Sequence, residues 1–209
     1  SVAGGAGDDL IIGGTGSDMI DGGADTDTLD YSALSGSVIV DANSGESQHS
    51  LGDLDNFTSI ERFILTGSGD VFFGDSGDMF VSALGGNDHL TNGPGRDTLL
   101  GGSGNDTISF IYGDGQSGQS FDGGPDSDTL FFDGNLPYSS FNLRDDTVVG
   151  FEVITVDQNF GYPGAPTRIS MTAAQISTIN TVEVLKIGSD LVGLDLHIYM
   201  EDTTALDLS

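Results

Sequence analysis

The chain has 209 residues, with 33 acidic against 5 basic side chains, a formal net charge of −28 and no cysteine. That charge argues against nucleic acid and anionic membrane surfaces as direct partners, and the missing thiols exclude disulfides and thiolate metal sites, so a bound metal must take oxygen ligands. No apolar run approaches the ~18 to 20 residues of a membrane span and no signal peptide opens the chain, which begins without Met on the threshold of a repeat and reads as a piece of a longer protein.

The repeat has the form G-G-x-G-x-D-x-U-x, with U apolar. Three copies come first: residues 4–12 (Asp9, Ile11), 13–21 (Asp18, Ile20) and 22–30 (Asp27, Leu29), the last with Asp25 in place of the third Gly. Residues 31–64 lack the pattern and close on "SIERFIL" (59–65). A second run follows: 65–73 (Asp70, Phe72), 74–82 (Met79 in the Asp place, Val81), 83–91 (Asp88, Leu90), 92–100 (Asp97, Leu99) and 101–109 (Asp106, Ile108). A last copy occupies 123–131, with Asp126 and Asp128 ahead of Leu130. Farther on, "GFEVITV" (150–156) and "TVEVLKI" (181–187) repeat the apolar-Glu-x-apolar-x-apolar order of "IERFIL". Such alternation is that of a half-buried strand. It predicts either metal-free rungs that continue the repeat architecture or ordinary strands of a small sandwich. Residues 172–180, "TAAQISTIN", have helical composition or form a turn between rungs.

Glycine is wanted where the backbone takes φ > 0 or turns its carbonyls toward one point, and the first six residues of each copy make such a turn. The last three, such as Thr98-Leu99-Leu100, are β-formers. A three-residue strand cannot stand alone, but turn-strand units wound as a parallel coil bury each U residue and bring the turns of copies n and n+2 into register. Two columns of Asp then face each other and repel unless a cation lies between them. Leu, Ile, Val and Phe make up roughly 27% of the chain, above the ~20% below which disorder is the default. A fold is therefore accessible, with something cationic missing from the sequence. A hard ion bound by carboxylates and carbonyls fits Ca²⁺, with its tolerant shell of 6 to 8 oxygens, better than Mg²⁺ with its near-ideal octahedron.

These copies resemble the RTX (repeats-in-toxin, hemolysin-type calcium-binding) nonapeptide modules of secreted bacterial proteins. The match is most specific over residues 4–30 and 83–109, looser over 65–82, and absent from 31–64 and 132–209. The resemblance implies a parallel β-roll that is disordered without calcium and folds on meeting it outside the cell, after type I secretion. The family's ligand rule pairs acids two copies apart: Asp9 with Asp27, Asp70 with Asp88, Asp88 with Asp106, and Asp97 with Asp128 if residues 110–122 are one lengthened loop. It implies carbonyl ligands from Gly5, Gly7, Gly14, Gly16, Gly93, Gly95, Gly102 and Gly104. Asp18 belongs to the same column but finds no partner in residues 31–39, and Met79 removes the carboxylate below Asp97. Asp25 and Asp126 end the two blocks, where an extra acid replaces ligands that no further turn provides. RTX modules occur on lipases, proteases, cytolysins, epimerases and adhesins, so the resemblance implies a module and leaves the activity of its parent open.

Phe110, Tyr112, Phe121, Phe131, Phe132, Tyr138 and Phe141 crowd one stretch. They form either a plug inside the roll or a sugar-stacking platform. His49 in a Ser/Gly loop, His89 and His197 are scattered, and "GDGQSG" (113–118) precedes no helix, so neither a catalytic constellation nor a nucleotide site is expected. The expected fold is all-β, a right-handed parallel β-roll (a β-helix-like solenoid). Its first domain, residues 1–131, holds calcium blocks 4–30 and 65–131 around a calcium-free bridge, 31–64; residues 132–209 are a calcium-free β extension or C-terminal cap. The expected function is that of a non-enzymatic module that binds Ca²⁺, its only cofactor, and so folds and stabilises a secreted bacterial protein. The alternative is a calcium-dependent carbohydrate-binding or adhesive module, or the non-catalytic part of a polysaccharide-modifying enzyme, with extracellular polysaccharide as partner.

Overall fold

Each x-U-x triplet becomes a strand or part of one and points its central apolar residue inward. Ile11, Ile20, Leu29, Phe72, Val81, Leu90, Leu99, Ile108 and Leu130 are all buried. The computed structural model describes residues 1–49, 52–110, 117–133, 140–157, 168–177, 179–185, 197–200 and 206–207. Tyr112, Tyr138 and residues 113–116 of the glycine-rich loop lie outside the described residues.

The first block forms β1 (Val2–Ala6), β2 (Leu10–Ile12), β3 (Met19–Ala24) and β4 (Thr28–Asp30). Alternate strands join two different sheets: β1 pairs parallel with β3, and β2 with β4, in the register Ile11 opposite Leu29. The bridge supplies β5 (Val38–Asp41), β6 (Glu46–His49), β7 (Leu54–Thr58) and β8 (Arg62–Ile64). Here β5, β6 and β7 run as an antiparallel meander inside the first sheet, while β8 alone continues the second sheet beside β4. His49 thus lies in a strand, not in a loop. The second block follows as β9 (Val71–Phe73), β10 (Phe80–Ser82), β11 (His89–Thr91), β12 (Thr98–Leu100), β13 (Thr107–Phe110), β14 (Ser120–Asp122) and β15 (Thr129–Asp133), again alternating.

Residues beyond 131 extend the same sheets. After β16 (Ser140–Asn142), β17 (Thr147–Val149) adds to β14, and β18 (Val153–Asp157) adds to β15 with Phe132 opposite Val156. Strands β19 (Arg168–Met171), β20 (Thr181–Leu185), β21 (His197–Met200) and β22 (Leu206–Asp207) complete the chain, β20 pairing with β18. The result is an 11-stranded sheet facing a 7-stranded one, with a 4-stranded sheet of β16, β19, β21 and β22. This is an all-β roll of parallel strands. The segments around Glu61 and Glu152 are rungs of it and not strands of a separate sandwich. A helical turn, Ala173–Ile176, interrupts residues 172–180, where Thr172 and Gln175 cap each other reciprocally. Among the described residues no helix is long and apolar enough to cross a membrane.

One sequence expectation changes, and one of the two readings of the aromatics is favoured. Residues 110–122 are not merely a lengthened loop, because they contain the complete rung β14. Four of the aromatics pack as a plug: Phe110, Phe121, Phe132 and Phe141 are fully buried, with Phe110 stacked on Phe132 at 5.2 Å and Phe132 tilted on Phe141 at 4.8 Å between ring centroids. Their faces are spent on one another and cannot receive a sugar.

Candidate metal centre

The acid in each copy sits immediately before its strand, where the turn delivers it to the copy two steps away. The backbone N–H of Asp9 donates to Asp27 Oδ1 at 2.9 Å, Asp70 to Asp88 at 2.7 Å, Asp88 to Asp106 at 2.8 Å and Met79 to Asp97 at 3.0 Å. The N–H of Asp106 donates to Asp128 Oδ1 at 2.8 Å. One carboxylate oxygen is thereby fixed. The other is not: Oδ2 of Asp27, Asp88, Asp97, Asp106 and Asp128 is buried and has no hydrogen-bond partner, and Oδ2 of Asp9, at the start of the first block, has none either. An unpartnered buried carboxylate oxygen is costly unless a cation meets it.

No side chain would fit beside several of these oxygens. A Cβ on Gly4, the first residue of its copy, would lie 2.5 Å from Gly22 O and 2.7 Å from Asp9 Oδ2. On Gly101 it would lie 2.7 Å from Gly123 O, with Asp106 Oδ2 nearer still. The missing side chain thus leaves a recess into which a carboxylate oxygen and the main-chain carbonyl of the copy two steps on already crowd. Gly5, Gly7, Gly14, Gly16, Gly93, Gly95, Gly102 and Gly104 line the same turns, but the carbonyls seen at these recesses belong to the first glycine, such as Gly22 and Gly123. Gly102 shows what glycine permits at the second position: its φ is +103°, and a Cβ would run into Leu84 O.

The electrostatics point the same way. Burial pushes the carboxyls of Asp88 and Asp97 up to about 7 and that of Asp128 up to about 6, with neighbouring acids adding to the effect. Burial also raises Asp70, Asp106 and Asp146. Among the described residues no three His, Asp or Glu side chains converge on one point, so ligation must combine carboxylates with main-chain carbonyls. Oxygen-only donors and a row of buried, unpartnered carboxylate oxygens close to main-chain carbonyls fit a hard divalent cation such as Ca²⁺.

Not every acid is equivalent. Asp18 does have a partner, 37 residues on: its N–H donates to Asp55 Oδ1 at 2.8 Å. There the recess beside Gly13 is filled by the Tyr31 ring, and Asp55 Oδ2 accepts from Tyr31 Oη at 2.9 Å and lies 3.2 Å from His49 Nε2. Ser47 Oγ bonds Tyr31 at 2.5 Å and not His49, so this buried quartet is no nucleophile–base pair. Asp70 is also engaged on both oxygens, by Val38 N at 2.8 Å and by Thr66 N at 2.7 Å and its hydroxyl. Asp97 is not paired with Asp128. Because β14 is a rung of its own, Gln119 takes the place above Asp97, with Ser120 N bonded to Asp97 O, and Asp128 falls above Asp106.

Other participants went unread in the sequence. Asp146 occupies the acid place before β17, accepting from Gly118 N and Gln119 N at 2.9 and 3.0 Å with its Oδ2 unpartnered. An outer ladder uses the residue just before each motif acid, in the opposite sense: Thr26 N donates to Asp8 at 3.0 Å, Asn105 N to Asn87 at 3.0 Å and Arg96 N to Asp78 at 2.8 Å. Recurrence of Asp or Asn at that variable position was its only signal. Asp25 and Asp126 hold Gly7 N and Gly104 N at 3.1 and 3.2 Å.

A parallel β-roll with columns of half-satisfied buried aspartates is a calcium-binding repeat architecture. The family model of the RTX calcium-binding nonapeptide repeat matches residues 1–33, 65–99 and 73–108, with four copies. The chain therefore carries RTX nonapeptide repeats, which bind Ca²⁺. No curated protein matches it.

Proposed function

We propose that this chain is a calcium-dependent folding and stability module of a secreted bacterial protein, with no catalytic role of its own. The proposed ligands are Asp9, Asp27, Asp88, Asp97, Asp106 and Asp128, with Asp25 and Asp126 at the block ends and glycine carbonyls between them. Asp18 and Asp70 stand outside this set because Tyr31 and Thr66 take the metal's place beside them. The observation that carries the reading is the row of buried Oδ2 atoms without partners, and beside four of these acids, at Gly4, Gly22, Gly101 and Gly123, no side chain would fit. Without metal the acids repel and the three-residue strands bury too little to offset ~1 to 2 kcal/mol of backbone entropy per residue. Calcium reverses that electrostatic sign, so binding energy becomes folding energy. Extracellular modules bind calcium at ~10⁻⁴ to 10⁻³ M, which leaves such a chain unfolded in the cytosol and folded outside.

Residues 1–131 form the metal-loaded roll in this reading and 132–209 its metal-free cap, an idea supported by the unbroken pairing of β15, β18 and β20. The test is circular dichroism in excess chelator. The spectrum should be coil-like and recover on adding Ca²⁺, with equimolar Mg²⁺ largely ineffective. A native-like spectrum without calcium sinks the proposal.

A further inference from the structure

We propose that Glu61 and Glu152, outside every nonapeptide copy, are the ligands that close the two calcium blocks, each completing a hybrid Asp/Glu site for the same cation. The inference rests on the calcium reading above and extends it to residues the repeat does not include.

Two remote places in the chain share one arrangement. In each, the last copy of a block carries two acids, Asp25 with Asp27 and Asp126 with Asp128, and the first of each pair stands at positive φ, 79° and 91°. In each, the next rung puts Glu in the acid place: Asp27 N donates to Glu61 Oε2 and Asp128 N to Glu152 Oε2, both at 2.9 Å. The main chain repeats as well. Asp27 O accepts from Glu61 N and Arg62 N at 3.3 and 3.0 Å, and Asp128 O from Glu152 N and Val153 N at 3.1 and 3.0 Å.

The recess is present at both. A Cβ on Gly22 would collide with Ser59 O and lie 2.6 Å from Asp27 Oδ2. On Gly123 it would collide with Gly150 O and lie 2.6 Å from Asp128 Cβ. Ser59 and Gly150 each precede their Glu by two residues and share positive φ, 55° and 72°. Asp27 and Asp128 are 0% exposed, and Oδ2 of each has no partner. An interior rung would answer such an oxygen with the motif of the next copy. Here the next rung has none, and Glu alone brings a negative oxygen to the same turn. One rung farther, Asn180 N and Thr181 N make the same pair of bonds to Glu152 O, at 2.7 and 3.0 Å, but Asn180 brings no charge. The series of sites therefore stops at Glu152.

The test is to count ions on the full chain. Glu61→Gln and Glu152→Gln keep the side-chain length and an acceptor for the facing N–H but remove the charge. By native mass spectrometry at saturating calcium each should carry one ion fewer than the wild type, and the double variant two fewer. Glu61→Asp and Glu152→Asp keep the charge with a shorter reach, so the count should persist with the corresponding binding step weakened tenfold or more in isothermal titration. Gln variants that stay unfolded while the Asp variants fold with the full count also support ligation. Gln variants that fold with an unchanged ion count and unchanged affinities overturn it, as does failure of both series to fold, which would mark these residues as packing groups. A wild type that binds no calcium is a different result, and brings down the parent reading with it.

Discussion

Replacing Gly101 by Ala tests whether the oxygens crowded beside it, Asp106 Oδ2 and Gly123 O, hold a metal ion. Gly101 does not sit at positive φ, so Ala strains no backbone there. Its methyl would lie 2.7 Å from Gly123 O and 2.9 Å from Asp106 Cβ, against about 3.4 Å for an ordinary contact, with Oδ2 closer than either. The neighbouring oxygens must therefore retreat by ~0.7 Å or more. Calcium–oxygen distances span only about 2.3 to 2.6 Å, so a shift of that size removes ligands instead of stretching bonds. Overpacking a tight site of this kind costs about 1 to 3 kcal/mol. Gly67→Ala is the control, because nothing lies within 4 Å of its Cβ position; it should change stability by no more than the ~0.4 to 1 kcal/mol gained from a stiffer unfolded chain. Calcium titrations followed by circular dichroism should show a higher midpoint and one lost ion for Gly101→Ala alone. Indistinguishable midpoints for the two variants would refute the argument that the absent side chain makes the site.

The chelated and calcium-loaded chains should respond to acid in opposite ways. Burial holds the carboxyls of Asp88 and Asp97 near 7 and that of Asp128 near 6, above the ordinary 3.8. A raised folded value gives stability that is full below the unfolded pKa and lost as pH rises through the folded one. Between pH 8 and 5 the chelated chain should thus gain β-signal on acidification, whereas protons displace calcium from the loaded chain; a flat chelated profile would contradict the buried carboxylates. Tyr31→Phe removes the hydroxyl shared by Ser47 and Asp55 and should lower calcium-loaded stability by about 1 to 3 kcal/mol with no change in ion count. A changed count would place metal at Asp55.

Much of this roll could be read from the letters because a period of nine makes each residue predict another. The aliphatic phase located every buried U residue in the copies, and the offset of two copies found the Asp9–Asp27 and Asp88–Asp106 contacts. What escaped was whatever an insertion displaced. The β5–β6–β7 meander put Asp55 far from Asp18, and no local pattern announces a partner across a folded excursion. Asp146 keeps the acid-x-U-x spacing before Val148 but lacks the glycines, and Gln119 follows glycines but puts an amide where the acid before Phe121 should be, so β17 and β14 were hidden. Glu183 failed for the opposite reason. Its neighbours imitate the Glu61 and Glu152 segments, yet pairing follows buried Ile154 opposite Val182, which puts Glu183 mid-strand beside Thr155 and Asn180 in the acid place.

The inner ladder always runs one way, from an N–H in the earlier copy to a carboxylate in the later one. A roll built so is a polar object with unlike ends. Severed at any rung, it leaves bare donors on the upstream fragment and a fresh row of bare, buried acids on the downstream one. Two fragments could rejoin head to tail, which restores every inner bond, but tail-to-tail contact sets donors against donors and head-to-head contact sets anions against anions. Any end-on association of such modules is therefore heterologous, and a heterologous contact that does not close into a ring propagates as a filament. Calcium favours that propagation because it neutralises the acids that otherwise hold the fragments apart.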